Sequence, residues 1–201
     1  MIRTLIFDLG RTLVPFDFSR GYRAMAARAG CTPEHVRDTI ACSGLVPLFE
    51  SGQVEPGDFV AQVTTALGVT MDYDEFCQMW SSVFLPETLV PEDWIRTLRT
   101  RYRTVLLSNT NAIHYAMLRA AYPVLDHFDA YVLSHEVRAM KPDPRIYAAA
   151  IAAAGCSPAE CFFADDVPEY VEGARQAGID AVLFEDSSRL RSDLALRGIT
   201  W

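Results

Sequence analysis

At 201 residues, of which 50% are hydrophobic and 22% charged, the chain is long enough to bury a core of its own and too apolar to be disordered. Its 18 Lys and Arg against 26 Asp and Glu leave a net charge of −8, so no broad basic face is available for a phosphate backbone and nucleic acid is excluded as the expected partner. A small anion remains compatible with that charge, because one metal ion or one lysine inverts the field inside a pocket.

Thr4-Leu5-Ile6-Phe7 reads as the first strand, apolar throughout as in a parallel sheet covered on both faces, and it runs into Asp8-Leu9-Gly10-Arg11-Thr12. From Phe16 to Pro86 the apolar spacing turns helical, and Gly30, Pro33, Gly52, Pro56, Gly57 and Gly68 divide the segment into about four short helices. The segment 16–86 therefore reads as a helical insertion, with Phe16, Tyr22, Phe49 and Trp80 expected mostly in its core. The strand Val105–Leu107 leads into Ser108-Asn109-Thr110-Asn111, where Ser108, Asn109 and Thr110, each taken singly, suit the cap of the helix that carries His114. Ala130–Leu133 is the next strand. Lys141 then precedes an Ala-rich helix opened by Pro142 and Pro144 and stopped by Gly155. Cys161–Ala164 leads into Asp165-Asp166, Pro168 and Gly178 bracket another helix, Ala181–Phe184 is the last strand, and the polar tail from Ser187 onward carries no reading. This alternation predicts an α/β fold with a parallel sheet, its core formed by residues 1–15 and 87–201.

Ligands of such sheets bind beyond the carboxyl ends of the strands. A carboxylate at the end of a wholly apolar strand, as at Asp8, is costly unless it is partnered. The adjacent Asp165 and Asp166 repel each other unless a cation lies between them and other acids, and an oxygen-only set suggests magnesium over zinc. Lys141 opposes the macrodipole of the helix behind it unless it neutralises an anion. The four histidines show no metal-ligand spacing, and the chain contains neither a dinucleotide-binding nor a P-loop glycine pattern. Five cysteines without a CxxC pair, and no apolar run long enough for a signal peptide or a membrane span, lead us to expect a cytoplasmic protein with reduced thiols.

Taken in order, Phe7-Asp8-Leu9-Gly10-Arg11-Thr12-Leu13, Leu107-Ser108-Asn109-Thr110-Asn111, Lys141-Pro142 and Phe163-Ala164-Asp165-Asp166 resemble the four motifs of the haloacid dehalogenase-like hydrolase superfamily. Phe49-Glu50-Ser51-Gly52 resembles a cap signature of its branch of sugar-1-phosphate phosphatases and epoxide hydrolase phosphatase domains. The resemblance implies a Rossmann-like core with a small helical cap, and a magnesium-dependent phosphatase that hydrolyses small phosphorylated metabolites, sugar phosphates among them. It implies an aspartyl-phosphate on Asp8, catalytic parts for Ser108 and Lys141, metal binding by Asp8, the Gly10 carbonyl, Asp165 and Asp166, and substrate binding by Arg11, Thr12 and Asn109. Two positions depart from the pattern. Gly10 stands where most of these phosphatases carry a second aspartate as general acid, leaving Asp17 or an ordered water as substitute donors, and Tyr170 stands where the branch has Asn or Asp. The alternatives are a 2-haloacid dehalogenase, which also lacks that aspartate, and a weakly catalytic phosphometabolite-binding protein. The oligomeric state leaves no signal in the sequence.

Overall fold

A computed structural model describes all 201 residues. The strands β1 (Thr4–Phe7), β2 (Arg103–Ser108), β3 (Ala130–Leu133), β4 (Cys161–Asp165) and β5 (Asp180–Leu183) form one parallel sheet in the order β3-β2-β1-β4-β5. Its two faces explain why β1 is apolar without alternation. Leu5 and Phe7 pack into one cluster with Trp94, Ile95 and Leu98 of α6 (Glu92–Arg99), Leu118 of α7 (Ala112–Ala121) and Leu190 and Leu194 of α11 (Ser187–Leu196). Ile6 packs into the opposite cluster with Ile146, Tyr147 and Ala150 of α9 (Pro144–Ala154) and Val171 and Ala174 of α10 (Pro168–Gln176). A single turn, α8 (Ser134–Val137), follows β3. None of the helices is long and apolar enough to cross a membrane.

Between β1 and β2 the chain forms five helices where about four were expected: α1 (Phe18–Ala29), α2 (Pro33–Ser43), α3 (Leu45–Glu50), α4 (Pro56–Ala66) and α5 (Tyr73–Ser81). The extra division falls at Gly44, whose left-handed φ of 64° ends α2 and starts α3, although Val36, Ile40 and Leu45 keep helical spacing across it. Asp17, Thr32 and Asp72 cap α1, α2 and α5 through their side chains. These helices enclose a third apolar cluster, centred on Phe59, whose ring stacks on Phe49 at 4.1 Å and meets Trp80 edge-on at 5.1 Å. The tail from Ser187, expected to be uninformative, is the helix α11: Leu190 and Leu194, four apart, are buried on one side of a helix otherwise rich in serine and charge.

Candidate active site

Sheet register brings the chemistry together. Phe7 is level with Leu106 of β2 and Ala164 of β4, and the Asp8 amide donates to the Ala164 carbonyl at 3.0 Å, so Asp8, Asp165 and Ser108 leave the same edge of the sheet. Lys141 reaches this edge from the loop ahead of α9. Its buried ammonium donates to Asp8 Oδ1 at 2.6 Å and to Asp165 Oδ2 at 2.5 Å. The lysine is therefore not a surface cation opposing a helix dipole but the counterion of two buried acids.

Burial by itself would lower Lys141, but the charges of Asp8 and Asp165 outweigh it and hold the ammonium above its ordinary range. Burial pushes Asp8 up to about 7, Lys141 opposes that rise, and Asp165 and Asp166 add to it. The Tyr170 ring faces the ammonium at 5.0 Å, so this departure from the motif supplies a π-face where the branch carries Asn or Asp.

Asn109 was expected to bind substrate, but its side chain is engaged elsewhere. The Lys141 amide donates to Asn109 Oδ1 at 2.8 Å, and Asn109 Nδ2 donates to the Lys141 carbonyl at 3.1 Å. This amide clamp fixes the backbone that carries the ammonium. The capping expected of Ser108, Asn109 and Thr110 falls instead to Asn111, which accepts from the His114 amide at 3.0 Å. Ser108 keeps only a 3.4 Å contact from its hydroxyl to the Asn109 carbonyl. Arg11 has a φ of 56°, the left-handed region where glycine is at ease, and its guanidinium lies over the Phe16 ring at 4.8 Å. Thr12 is fully buried with no partner for its hydroxyl.

Asp165, expected as a metal ligand, is also built into the fold. It is the last residue of β4, with no exposed surface, and accepts at Oδ2 from Lys141 and at Oδ1 from the Val167 amide at 2.8 Å. Asp166 is half-buried and raised, first by burial and then by Asp165, with Lys141 and Arg11 opposing. One oxygen from each of Asp8, Asp165 and Asp166 lies within 4.8 Å of the others. This is a compact set of hard oxygen donors, and it fits magnesium. Asp166→Ala is expected to weaken magnesium binding at least about tenfold in a calorimetric titration, since even groups behind a ligand are worth that much. It should leave the melting temperature of the metal-free protein unchanged or higher, because one repelling carboxylate is gone.

Beyond this edge lies a cavity of about 90 Å³ whose walls include Gly10, Phe16, Glu50, Ser108, Asn109 and His114. A second cavity of about 170 Å³ adjoins it among the inserted helices, lined by Tyr22, Met25, Ile40, Val46 and Trp80. The two share Phe18, Glu50, Val83 and His114. Of the four aromatics expected mostly in the core, Phe49 and Trp80 are there, Trp80 also bordering the second cavity, while Phe16 lines the first cavity and Tyr22 the second. Asp17, weighed as a substitute acid, is disqualified by its own cap. It accepts from the Ser19 amide and hydroxyl, which hold its carboxyl below the ordinary range as an acceptor with no proton to give.

Sequence reasoning missed His114 and Ser134 and used Glu50 only as part of a signature. His114 is locked: its ring takes a hydrogen bond from Asn111 Nδ2 at 3.2 Å and gives its own N–H to the Trp80 carbonyl at 3.1 Å. Burial drives it down to about 4, so it is neutral. Ser134 Oγ accepts from the Thr110 amide at 2.9 Å and has two carbonyl acceptors in reach, Glu50 at 2.6 Å and Thr110 at 2.9 Å. It thereby joins the end of α3 to the loop after β2.

A family model for haloacid dehalogenase-like hydrolases matches residues 2–178. The chain is 38% identical to a phosphatase of Mycobacterium tuberculosis, over 94% of this chain and 90% of that one. It is 25% identical to a D-ribitol-5-phosphate phosphatase of Bacteroides thetaiotaomicron over 98% of both. A solved HAD family enzyme of the same species, in complex with magnesium and inorganic phosphate, superposes with a TM-score of 0.84 at 28% identity, covering 94% of this chain and 99% of that one. Four motifs meeting at one sheet edge, and a family match that spans most of the sequence, lead to one conclusion: the chain belongs to the haloacid dehalogenase-like hydrolase family.

Proposed function

We propose that the protein is a magnesium-dependent phosphatase that cleaves small phosphomonoesters through an aspartyl-phosphate on Asp8. The observation that carries this reading is the two-sided state of Asp8. Its Oδ1 is held by Lys141 at 2.6 Å while its Oδ2 carries no hydrogen bond, and a neighbouring cavity is lined by Ser108. A carboxylate with one oxygen anchored and the other free is oriented for in-line attack on phosphorus. In this reading Lys141 balances charge that builds on the phosphoryl group, and the Ser108 hydroxyl, only weakly engaged at 3.4 Å, turns to donate to a phosphoryl oxygen. Asp8, Asp166 and the Gly10 carbonyl would hold magnesium, with Asp165 behind them, and the ion when bound supplies positive charge against the phosphoryl oxygens. Arg11 adds a positive charge near Asp166, Thr12 lies buried in the loop after β1, and residues 16–86 form the cap that keeps water out.

The substrate class follows from the second cavity. One relative is named for D-ribitol-5-phosphate, a polyol ester, but Met25, Ile40 and Val46 line the cap cavity here and leave few partners for a row of hydroxyls. We therefore infer a phosphomonoester whose alcohol carries an apolar portion. Each buried methylene is worth about 0.8 kcal/mol, so kcat/KM along a series of n-alkyl phosphates should rise about fourfold per carbon until the cavity is full. A pentitol phosphate should be the poorer substrate. No turnover of any phosphomonoester with magnesium, or turnover undiminished by chelator, would overturn the phosphatase assignment. A flat alkyl series would overturn the substrate class alone.

A further inference from the structure

The site as described has a nucleophile, a cation and a metal-binding acid set, but no group at Gly10 to protonate a departing alkoxide. The gap is sterically closed as well as chemically empty: a Cβ at Gly10 would meet Phe16 Cε1 at 2.8 Å, so the ring fills the space an acid at that position would need. If the proton comes from the protein, it comes from another wall of the same cavity.

Two of the residues lining that cavity carry a titratable group, Glu50 and His114. The only N–H of neutral His114 is engaged with the Trp80 carbonyl, so it has no proton to deliver. Glu50 differs on each count. Its carboxyl has no hydrogen-bond partner, it borders both the reaction cavity and the leaving-group cavity, and it stands where the two meet. Although it ends a cap helix, its backbone is tied to the core, with the Ser134 hydroxyl 2.6 Å from its carbonyl. A reaching side chain on a pinned backbone is what a positioned acid requires.

We propose that the Glu50 carboxyl is the catalytic acid of this enzyme, protonating the leaving oxygen from the cap in place of the side chain that Gly10 lacks. This rests on the phosphatase reading above. As Asp8 Oδ2 bonds to phosphorus and the ester P–O bond breaks, the Glu50 proton passes to the departing oxygen and leaves a carboxylate. That carboxylate then takes a proton from the water that attacks phosphorus. The bond between phosphorus and Asp8 breaks, inorganic phosphate leaves, and the acid is restored.

The surroundings keep the proton in place. Burial holds Glu50 up to about 7, and no lysine or arginine lines either cavity to pull it down. Of the titratable groups that share its surroundings, His114 on α7 is kept neutral by burial, and Tyr22 on α1 and Tyr170 on α10 are raised above the ordinary phenol range.

The test compares kcat/KM for a nitrophenyl phosphate, whose phenolate leaves without a proton, with that for an alkyl phosphate, in wild type, Glu50→Gln and Glu50→Asp with saturating magnesium. Wild type should lose activity on the alkyl ester as pH rises through about 7. Glu50→Gln should cut the alkyl rate by about 10²–10⁴ and abolish that basic limb, with less than about a tenfold effect on the aryl ester. Glu50→Asp, which keeps a carboxyl, should recover part of the alkyl rate and its pH limb; if the Gln variant does not fold, the selective slowing of alkyl turnover in the Asp variant carries the test. Equal losses on both esters in a variant that melts like wild type, or an alkyl rate left intact, would overturn the assignment. A wild type that hydrolyses neither ester overturns the phosphatase reading itself.

Discussion

Asp8→Asn is expected to keep its fold and lose its turnover by at least about 10⁴-fold, the scale on which removal of a covalent nucleophile acts. The amide cannot form the acyl phosphate, and no neighbouring oxygen can take over. Asp165 accepts from both Lys141 and Val167, and Asp166 leaves the sheet one residue further on. The fold should survive because the substitution leaves Lys141 paired with Asp165 at 2.5 Å, and an asparagine oxygen can still accept from the ammonium. Steady-state hydrolysis of an aryl phosphate, together with a melting curve within a few degrees of wild type, checks both halves. Retention of more than a trace of activity would remove Asp8 from the role assigned to it.

Lys141→Met should do the reverse and damage the fold as much as the chemistry. Removing the cation leaves Asp8 and Asp165 buried side by side without a counterion, and a buried charge stripped of its partner costs about 3–5 kcal/mol. In a chain of this size that lowers the melting temperature on the order of 10 °C. The sign of the pH dependence follows from Asp8. Burial already raises it, and without the ammonium that opposes the rise its folded-state pKa lies further above its unfolded value, so stability is intact at low pH, where it is protonated, and falls as pH rises through the folded value. The variant should therefore lie nearer to wild type in mildly acidic than in mildly alkaline buffer, and magnesium should stabilise it more than it stabilises wild type, since the ion replaces the missing charge. Melting curves at two pH values, with and without magnesium, decide this. A variant as stable as wild type in alkaline, metal-free buffer would show that the ion pairs do not hold the loop.

The sheet was legible because a parallel strand covered on both faces leaves an unmistakable apolar run, and because the residue after each run is where chemistry emerges. Asp8, Ser108 and the acidic pair stand at such ends and Lys141 just ahead of a helix, but the roles expected of Ser108 and Lys141 came from their resemblance to the family's motifs. What stayed hidden depends on contacts between distant segments. Nothing local marks Asn109 as a clamp for the Lys141 backbone rather than a substrate contact, because its partner lies on another loop. Asp165 and Asp166 read alike in sequence, yet one closes a buried strand and the other turns outward, a distinction made by register. Gly44 divides a helix only through the sign of its φ, which apolar spacing does not record. Glu50 was visible as a letter in a four-residue signature, but its place on the wall of the cavity that Gly10 also lines depends on how the inserted helices fold back over the sheet.

The Ser134 hydroxyl has one hydrogen and two carbonyls to give it to, one on the inserted helices and one on its own side of the molecule. A joint that ended on Glu50 alone would strand a buried donor whenever the halves parted, a loss of about 1–3 kcal/mol on each excursion. Here the hydrogen can swing to Thr110 as α3 lifts away, so parting the halves exchanges one bond for another. Were the two halves to part for ester to enter or alcohol to leave, the buried donor would stay satisfied, and the bond to Glu50 would re-form on closing to set the carboxyl back in the same place.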